Sequence, residues 1–170
     1  CINGVFGGRM LENVIRCGGV PVVIEHEWGT PVDPQRLEDT LKANPDAKIV
    51  AFVHAETSTG CLSDAKTLVE VAHRHNALTI VDAVTSLGGV PVLVDEWGVD
   101  AIYSGSQKCL SCTPGLSPVS FNERVVEHVK AHPRHGATPV IMLGTAGQDA
   151  RKEQARAAGA KAWFTKPFNT

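Results

Sequence analysis

The sequence has no long apolar run and almost no excess charge. None of its hydrophobic stretches approaches the roughly 18 residues that a membrane-spanning helix needs. Its 16 basic and 18 acidic residues leave a formal net charge of −2. Nucleic acids and anionic membranes attract proteins through clustered positive charge, so this balance supports neither partner. We therefore predict no nucleic-acid partner and no membrane partner.

Cysteines are few and form no disulfide framework. There are five, an odd number scattered along the chain, which favours a reducing compartment over a secreted domain. Cys109 and Cys112 have the spacing of a metal or redox pair. A zinc site would need a second pair of ligands at suitable spacing, and the sequence has none. We predict a cytoplasmic protein without a metal site, and a metal or redox role for this pair is the less favoured alternative.

The start of the sequence has neither a methionine nor the layout of a signal peptide. A length of 170 residues suits one α/β domain or part of a larger one. We expect this sequence to begin within a longer protein.

Short apolar runs alternate with segments of helical periodicity. Apolar positions three and four residues apart predict helices over residues 7–17, 34–42, 63–76, 123–131 and 148–158. Apolar runs predict strands over residues 20–24, 48–54, 78–82, 101–104, 116–121, 138–143 and 162–165. This order predicts an α/β fold, with a doubly wound, mostly parallel sheet and helices on both faces in three αβα layers.

Polar motifs follow three of the predicted parallel strands. They are residues 54–60 (HAETSTG), 82–89 (DAVTSLGG) and 104–108 (SGSQK). Ligands of open α/β sheets gather outside the carboxyl ends of the strands, so we expect one site here. Lys108 offers an amine for an imine with a pyridine-aldehyde cofactor, and Asp82 offers a carboxylate for its protonated ring nitrogen. Hydroxyls and backbone N–H groups in the same loops would hold its phosphate and ring oxygen.

Each residue alone also has an ordinary structural explanation. An aspartate at a strand end is more often a helix cap or a turn former than a cofactor partner. A lysine after Ser-Gly-Ser is usually a solvated loop residue. His54 at a strand end is more simply structural. The agreement of several motifs is what favours a cofactor site.

Together the motifs resemble the class V, fold-type I aminotransferases of the alanine–glyoxylate/serine–pyruvate type. The resemblance covers residues 1–126 and includes residues 109–121 (CLSCTPGLSPVSF), which follow the lysine. It implies an incomplete large-domain core that binds pyridoxal 5′-phosphate. It also implies that Lys108 is the catalytic lysine that forms the internal aldimine. The implied cofactor-binding residues are Asp82 at the pyridine nitrogen, Thr57 near the phenolic oxygen and Gln107 at the phosphate, together with Thr85 and Lys108.

The same resemblance implies that parts of such an enzyme are missing. The family has an upstream Gly-rich phosphate loop and a ring-stacking aromatic residue. It also has a small domain with an arginine that clamps the substrate carboxylate. Good positioning of reacting groups contributes roughly 7–11 kcal/mol, so we expect little or no transamination between an amino acid and a keto acid. The family's sites lie at a dimer interface, which makes a homodimer the expected assembly.

Residues 127–170 resemble a different family, the response-regulator receiver domain. Residues 138–170 have the strand–helix–strand order of the last third of a receiver, with a Lys-Pro-Phe motif near the end. The resemblance implies that Thr145 and Lys166 flank a phosphorylated aspartate. Gly144 is an extra residue before this threonine, and the sequence contains no adjacent pair of aspartates. The Mg²⁺-binding carboxylates of a receiver are thus absent, and phosphoryl transfer is not predicted.

The two resemblances leave the origin of the chain open. Both parent folds are doubly wound and share the right-handed crossover, so residues 127–170 are expected to complete the same sheet. The alternative to an aminotransferase core is a non-catalytic chimera, engineered or mis-joined, that has no native ligand.

Overall fold

Eight strands and six helices occur in the computed structural model, which describes residues 1–139, 141–145 and 149–166. The helices are α1 (Val5–Arg16), α2 (Pro34–Ala43), α3 (Ala65–Arg74), α4 (Val94–Trp97), α5 (Glu123–Ala131) and α6 (Asp149–Ala157). The strands are β1 (Ile49–Val53), β2 (Ala55–Glu56), β3 (Cys61–Leu62), β4 (Leu78–Asp82), β5 (Ala101–Tyr103), β6 (Val119–Phe121), β7 (Ile141–Thr145) and β8 (Ala162–Lys166). The chain divides into two units, Cys1–Ser120 and Phe121–Thr170.

A mostly parallel sheet forms the centre of the first unit. Its strands lie in the order β1, β4, β5 and β6. β1 is parallel to β4, and β4 is parallel to β5. The predicted strands at residues 48–54, 78–82 and 101–104 are confirmed, and so is the mostly parallel α/β, three-layer fold class.

The helix starts of the first unit follow from local sequence. Asp33 precedes α2, and its carboxylate accepts the amide of Gln35 at 2.8 Å, while Pro34 occupies the first helical position. Asp64 caps α3 by accepting the amide of Thr67 at 3.2 Å. A capping oxygen satisfies an N–H group that has no partner within the helix, so the predicted cap of α2 is confirmed.

The apolar core lies on one face of the sheet. Val50 and Phe52 of β1 and Val81 of β4 alternate with less buried neighbours, and they pack with buried residues of α2 and α3. In α3 the buried positions include Leu68 and Val69. The alternation of a strand and the spacing of a helix thus deliver their apolar side chains to one cluster.

A buried polar contact fixes β4 beside β5 at the amino ends of these strands. Asp100 precedes β5, and its Oδ2 accepts the amide of Thr79 at 2.9 Å. The ring nitrogen Nε2 of His73 lies 2.8 Å from the same oxygen. The amide of Asp100 in turn donates to Thr79 Oγ1 at 3.0 Å. Paired donors and acceptors make a buried carboxylate tolerable, and they hold the two strands in register.

The predicted strand at residues 20–24 is wrong. Val20 is 94% exposed, and the isolated bridge in this region, between Ile2 and Glu25, lies just beyond the segment. The amide of Ile2 donates to Ile24 at 2.8 Å. Within the described part of the chain only Ile2 offers this segment a partner backbone, and Pro21 has no N–H to donate, so the apolar run forms no ladder.

Three further differences concern short elements. The predicted strand at residues 116–121 is present only from Val119 onward, since Pro118 cannot donate to a neighbouring strand. Helix α4 was not predicted, and it ends after one turn at Gly98, whose φ of 70° favours glycine. The hairpin of β2 and β3 was not predicted either, because two-residue strands carry too little periodicity.

The second unit contains β7 and β8, which are parallel to each other and form their own two-stranded sheet. Their register pairs Thr145 with Lys166. Helix α5 is confirmed at its predicted limits, and the predicted strand at 138–143, helix at 148–158 and strand at 162–165 are present with limits shifted by up to three residues. Val140, Gln148 and the Pro167-Phe168 part of the Lys-Pro-Phe motif lie outside the described residues.

Two expectations about the second unit stay predictions. They are that residues 127–170 complete the main sheet, and that the family changes near Val126. Separately, none of the described helices is both long and apolar enough to cross a bilayer.

Removing Leu68 should test where the core lies. Its side chain is fully buried, so Leu68→Ala should lower the free energy of unfolding by about 2–5 kcal/mol through lost burial and a residual cavity. Leu93 is 44% exposed, and Leu93→Ala should change it by about 1 kcal/mol or less. Urea unfolding of both variants measures the difference, and equal losses would contradict this core.

Candidate functional site

The carboxyl ends of three neighbouring strands lie at one edge of the sheet. Val53 ends β1, Asp82 ends β4 and Tyr103 ends β5, and the register pairs the first with the second and the second with the third. The three polar motifs begin at or directly after these residues. Strand register therefore brings their loops to the edge where ligands of open α/β sheets bind.

The first motif, HAETSTG, contains β2 and the turn that leads to β3, and Thr57 lies in that turn. Glu56 pairs with Cys61, and the amide of Gly60 donates to the carbonyl of Glu56 at 2.8 Å. The hydroxyl of Thr57 is hydrogen-bonded to the hydroxyl of Thr85, in the loop after β4. Two predicted cofactor-binding residues from different motifs are thus in direct contact.

Asp82 is buried, with 6% of its surface exposed. Its Oδ1 accepts the amide of Val84 at 2.9 Å, and its Oδ2 accepts the hydroxyl of Tyr103 at 2.7 Å. Burial raises the pKa of Tyr103, and the hydrogen bond to Asp82 and the charge of Asp82 raise that pKa further. The tyrosine therefore stays protonated as a donor. Each carboxylate oxygen has two lone pairs, so Asp82 keeps capacity for another donor.

Lys108 lies in a loop that Ser106 closes at its base. The Ser106 hydroxyl donates to the carbonyl of Thr113 at 2.6 Å and accepts the amide of Leu116 at 3.4 Å. Near the tip, the carbonyl of Lys108 accepts the amide of Ser111 at 2.9 Å. The side chain of Lys108 is exposed. Lys108 is thus presented to solvent from a loop whose two ends are held together.

The lysine loop is tied to the loop that follows Asp82. The hydroxyl of Ser104 donates to the carbonyl of Ala83 at 3.0 Å, and the thiol of Cys109 donates to the carbonyl of Thr85 at 3.1 Å. A Cβ on Gly89 would lie 2.7 Å from Cys109 Sγ, so a larger residue here would displace the cysteine side chain. The residue that follows Lys108 is therefore fixed beside the Asp82 loop.

Gln107 and Lys108 are the predicted site residues whose side chains do not contact the other predicted residues in the described part of the chain. Both are exposed. Within the ranges that the structure covers, neither side chain hydrogen-bonds to Thr57, Asp82 or Thr85. The amide of Gln107 folds over Gly105, where a Cβ would lie 2.6 Å from Gln107 Oε1.

Glu56 is a buried member of the site that sequence reasoning left without a role. Its side chain is 0% exposed. Its Oε2 accepts the amides of Phe6 and Gly7, each at 3.2 Å, and its Oε1 accepts the amide of Ser58 at 3.1 Å and the hydroxyl of Ser58 at 2.7 Å. The carboxylate thus caps α1 from another part of the chain and holds Ser58, the residue that follows Thr57.

The sequence indicates that α1 needs a capping acceptor from elsewhere, although it does not identify Glu56 as that acceptor. Helix α1 begins after Gly4, which has no capping side chain, and its first turn has no acidic residue. The first amides of a helix need acceptors, so some acceptor had to come from elsewhere. Tyr103 was also missed, because cross-strand neighbours depend on strand register, which the sequence did not give.

A family model for class V aminotransferases matches residues 11–157. The chain belongs to this family. The match passes beyond the expected junction near Val126 and into the second unit. Pyridoxal phosphate is the cofactor of this family.

Individual relatives agree with this membership. The (S)-ureidoglycine–glyoxylate transaminase of Bacillus subtilis is 44% identical over 131 residues, which are 76% of this chain and 31% of the relative. The crystal structure of alanine–glyoxylate aminotransferase from Nostoc sp. matches with a TM-score of 0.75 and 39% identity, over 78% of this chain and 35% of that one. Aspartate aminotransferase of subgroup IV from Thermus thermophilus matches with a TM-score of 0.68 and 29% identity, over 97% of this chain and 43% of that one.

The chain spans about a third of the length of the curated relatives it matches, with 31%, 34% and 36% of three of them covered. The residues it contains nevertheless fit pyridoxal phosphate. Asp82 is a buried carboxylate with spare acceptor capacity, Thr57 and Thr85 present paired hydroxyls, and Lys108 is an exposed amine on an adjoining loop. These groups match an acidic pyridinium, a phenolic oxygen and an aldehyde.

The close approach of Gly4 to Glu56 generates a prediction with a matched control. A Cβ on Gly4 would lie 2.4 Å from Glu56 Cγ and 2.6 Å from Ser58 Oγ, whereas a Cβ on Gly8, within α1, would meet nothing within 4 Å. Gly4→Ala should therefore lower the free energy of unfolding by about 1–3 kcal/mol. Gly8→Ala should raise it by roughly 0.5–1 kcal/mol, since alanine is the better helix former. Chemical denaturation measures both, and a stabilising Gly4→Ala would contradict the role of Glu56.

Proposed function

We propose that this chain supplies the cofactor-binding core of an aminotransferase of the alanine–glyoxylate type, with Lys108 as the residue that attaches pyridoxal phosphate. The observation that carries the proposal is the contact of three loops at the carboxyl edge of the parallel sheet. The hydroxyls of Thr57 and Thr85 are hydrogen-bonded to each other. The carbonyl of Thr85 accepts a hydrogen bond from the thiol of Cys109, the residue after Lys108. From the third motif itself, the hydroxyl of Ser104 donates to the carbonyl of Ala83, so residues of all three motifs are linked by hydrogen bonds.

Each predicted residue has a role in this proposal. Lys108 would hold the cofactor through its amine and would carry a proton. Asp82 would hold the ring nitrogen, Thr57 the phenolic oxygen and Gln107 the phosphate, and Thr85 would bind the cofactor beside Thr57. When bound, pyridoxal phosphate supplies an electron-accepting ring.

The substrates in this proposal are an amino acid and a keto acid. The names of two matched proteins, a ureidoglycine–glyoxylate transaminase and an alanine–glyoxylate aminotransferase, support glyoxylate chemistry. We further propose that the chain alone has little or no transaminase activity, because it spans about a third of its relatives. Homodimer formation belongs to the same proposal. Five free cysteines support a cytoplasmic location.

We also propose that residues 127–170 derive from a receiver domain. The β7–α6–β8 order, with parallel strands, supports this origin, and so does the register that pairs Thr145 with Lys166 at the ends of the strands. Against it, the class V family model extends to residue 157. The competing hypothesis for the whole chain is a non-catalytic chimera whose fold survives without a ligand.

Trapping the cofactor tests the proposed function. The purified chain, mixed with pyridoxal phosphate and then reduced with borohydride, should carry a saturable adduct on Lys108, which peptide mass spectrometry locates. Lys108→Ala should abolish that adduct. Lys66→Ala, which removes an exposed lysine at the start of α3, should leave it unchanged.

Two outcomes would overturn this proposal. An adduct that persists at the same level in Lys108→Ala would show that another lysine holds the cofactor. Weak adducts spread over many surface lysines would favour the non-catalytic chimera.

A further inference from the structure

Tyr103 and Asp82 are direct neighbours on adjacent strands. The parallel register of β4 and β5 pairs these two residues, and paired residues of neighbouring strands project to the same face. The Tyr103 hydroxyl donates to Asp82 Oδ2 at 2.7 Å. The carboxylate is thus held by a side chain that neither motif reasoning nor the proposed roles include.

The two donors on Asp82 act on different oxygens. The amide of Val84 binds Oδ1 at 2.9 Å, from two residues further along the same chain. Such a local turn contact alone ties a carboxylate to its own loop. Tyr103 holds the other oxygen from β5. Together the two bonds restrict rotation of the carboxylate, and each oxygen still keeps a lone pair.

We infer that Tyr103 is a positioning residue for pyridoxal phosphate, which holds the Asp82 carboxylate in the orientation that receives the ring N–H of the cofactor. This inference rests on the proposed function, because it assigns Tyr103 a task only if the cofactor binds at this edge. Tyr103 acts through Asp82 and not by contact with the reacting atoms. A preoriented acceptor binds more tightly because less rotational freedom is lost on binding.

The tyrosine can be observed alone, because it is the only tyrosine in the sequence. In the cofactor-free chain, the near-ultraviolet absorption of tyrosinate reports the ionisation of Tyr103, and circular dichroism at each pH restricts the reading to folded protein. Asp82→Asn removes the negative charge beside the hydroxyl, so the midpoint should fall by about one pH unit or more. Asp46→Asn, an exposed change before β1 at the opposite edge of the sheet, should leave the midpoint unchanged.

The affinity for pyridoxal phosphate then tests positioning. Tyr103→Phe should weaken binding by about threefold to tenfold, the range of one ordinary hydrogen bond. Asp82→Asn should weaken it by about tenfold to a hundredfold. In the double variant, Tyr103→Phe should weaken cofactor binding by less than about twofold beyond the effect of Asp82→Asn, since the charged partner through which Tyr103 acts is gone. Unfolding curves of all variants establish that folded chains are compared.

Each outcome has a distinct meaning. If the native chain binds pyridoxal phosphate and the effects of Tyr103→Phe and Asp82→Asn are independent, the positioning role is wrong while the proposed function stands. If Asp82→Asn leaves the midpoint of Tyr103 ionisation unchanged, the positioning role is also wrong, because the two side chains then do not interact. If the native chain does not take the cofactor, the proposed function fails together with the positioning role, although a shifted midpoint would still establish the Tyr103–Asp82 pair.

Discussion

The parallel register of β1, β4 and β5 is the constraint on which the site depends. It brings Val53, Asp82 and Tyr103 side by side at one edge of the sheet. At the opposite edge, the contact of Asp100 with Thr79 holds β4 and β5 in register. A shift of one residue would turn Asp82 to the other face of the sheet and separate it from Tyr103. The position of the carboxylate is therefore a consequence of strand pairing.

The loops at this edge are held by one another more than by regular structure. Glu56 caps α1 and holds Ser58 beside Thr57, Ser106 closes the lysine loop, and Cys109 connects that loop to the carbonyl of Thr85. These contacts order the surroundings of a cofactor before it arrives. Preorganised donors and acceptors are what make such a site effective, because they need not be rearranged when the ligand binds.

The sequence predicted those features that depend on local periodicity and on motif order. The limits of β4 and α5, the cap at Asp33 and the clustering of the three loops all followed from it. Prediction from the sequence failed where a contact with a residue distant in sequence determines the local structure. Residues 20–24 are as apolar as β1, yet they form no strand among the described residues, because Ile2 offers a partner backbone only at the end of the segment, next to Ile24 and Glu25. Glu56 and Tyr103 were missed for the same reason, since both act through contacts between elements.

A crystal structure of the chain with pyridoxal phosphate would show directly whether Lys108 and Asp82 hold the cofactor. We expect electron density continuous from Lys108 Nζ into the cofactor, with the ring nitrogen within hydrogen-bonding distance of Asp82 and the Tyr103 hydroxyl still on Oδ2. A cofactor attached to a different lysine, or a ring nitrogen that faces away from Asp82, would contradict this expectation.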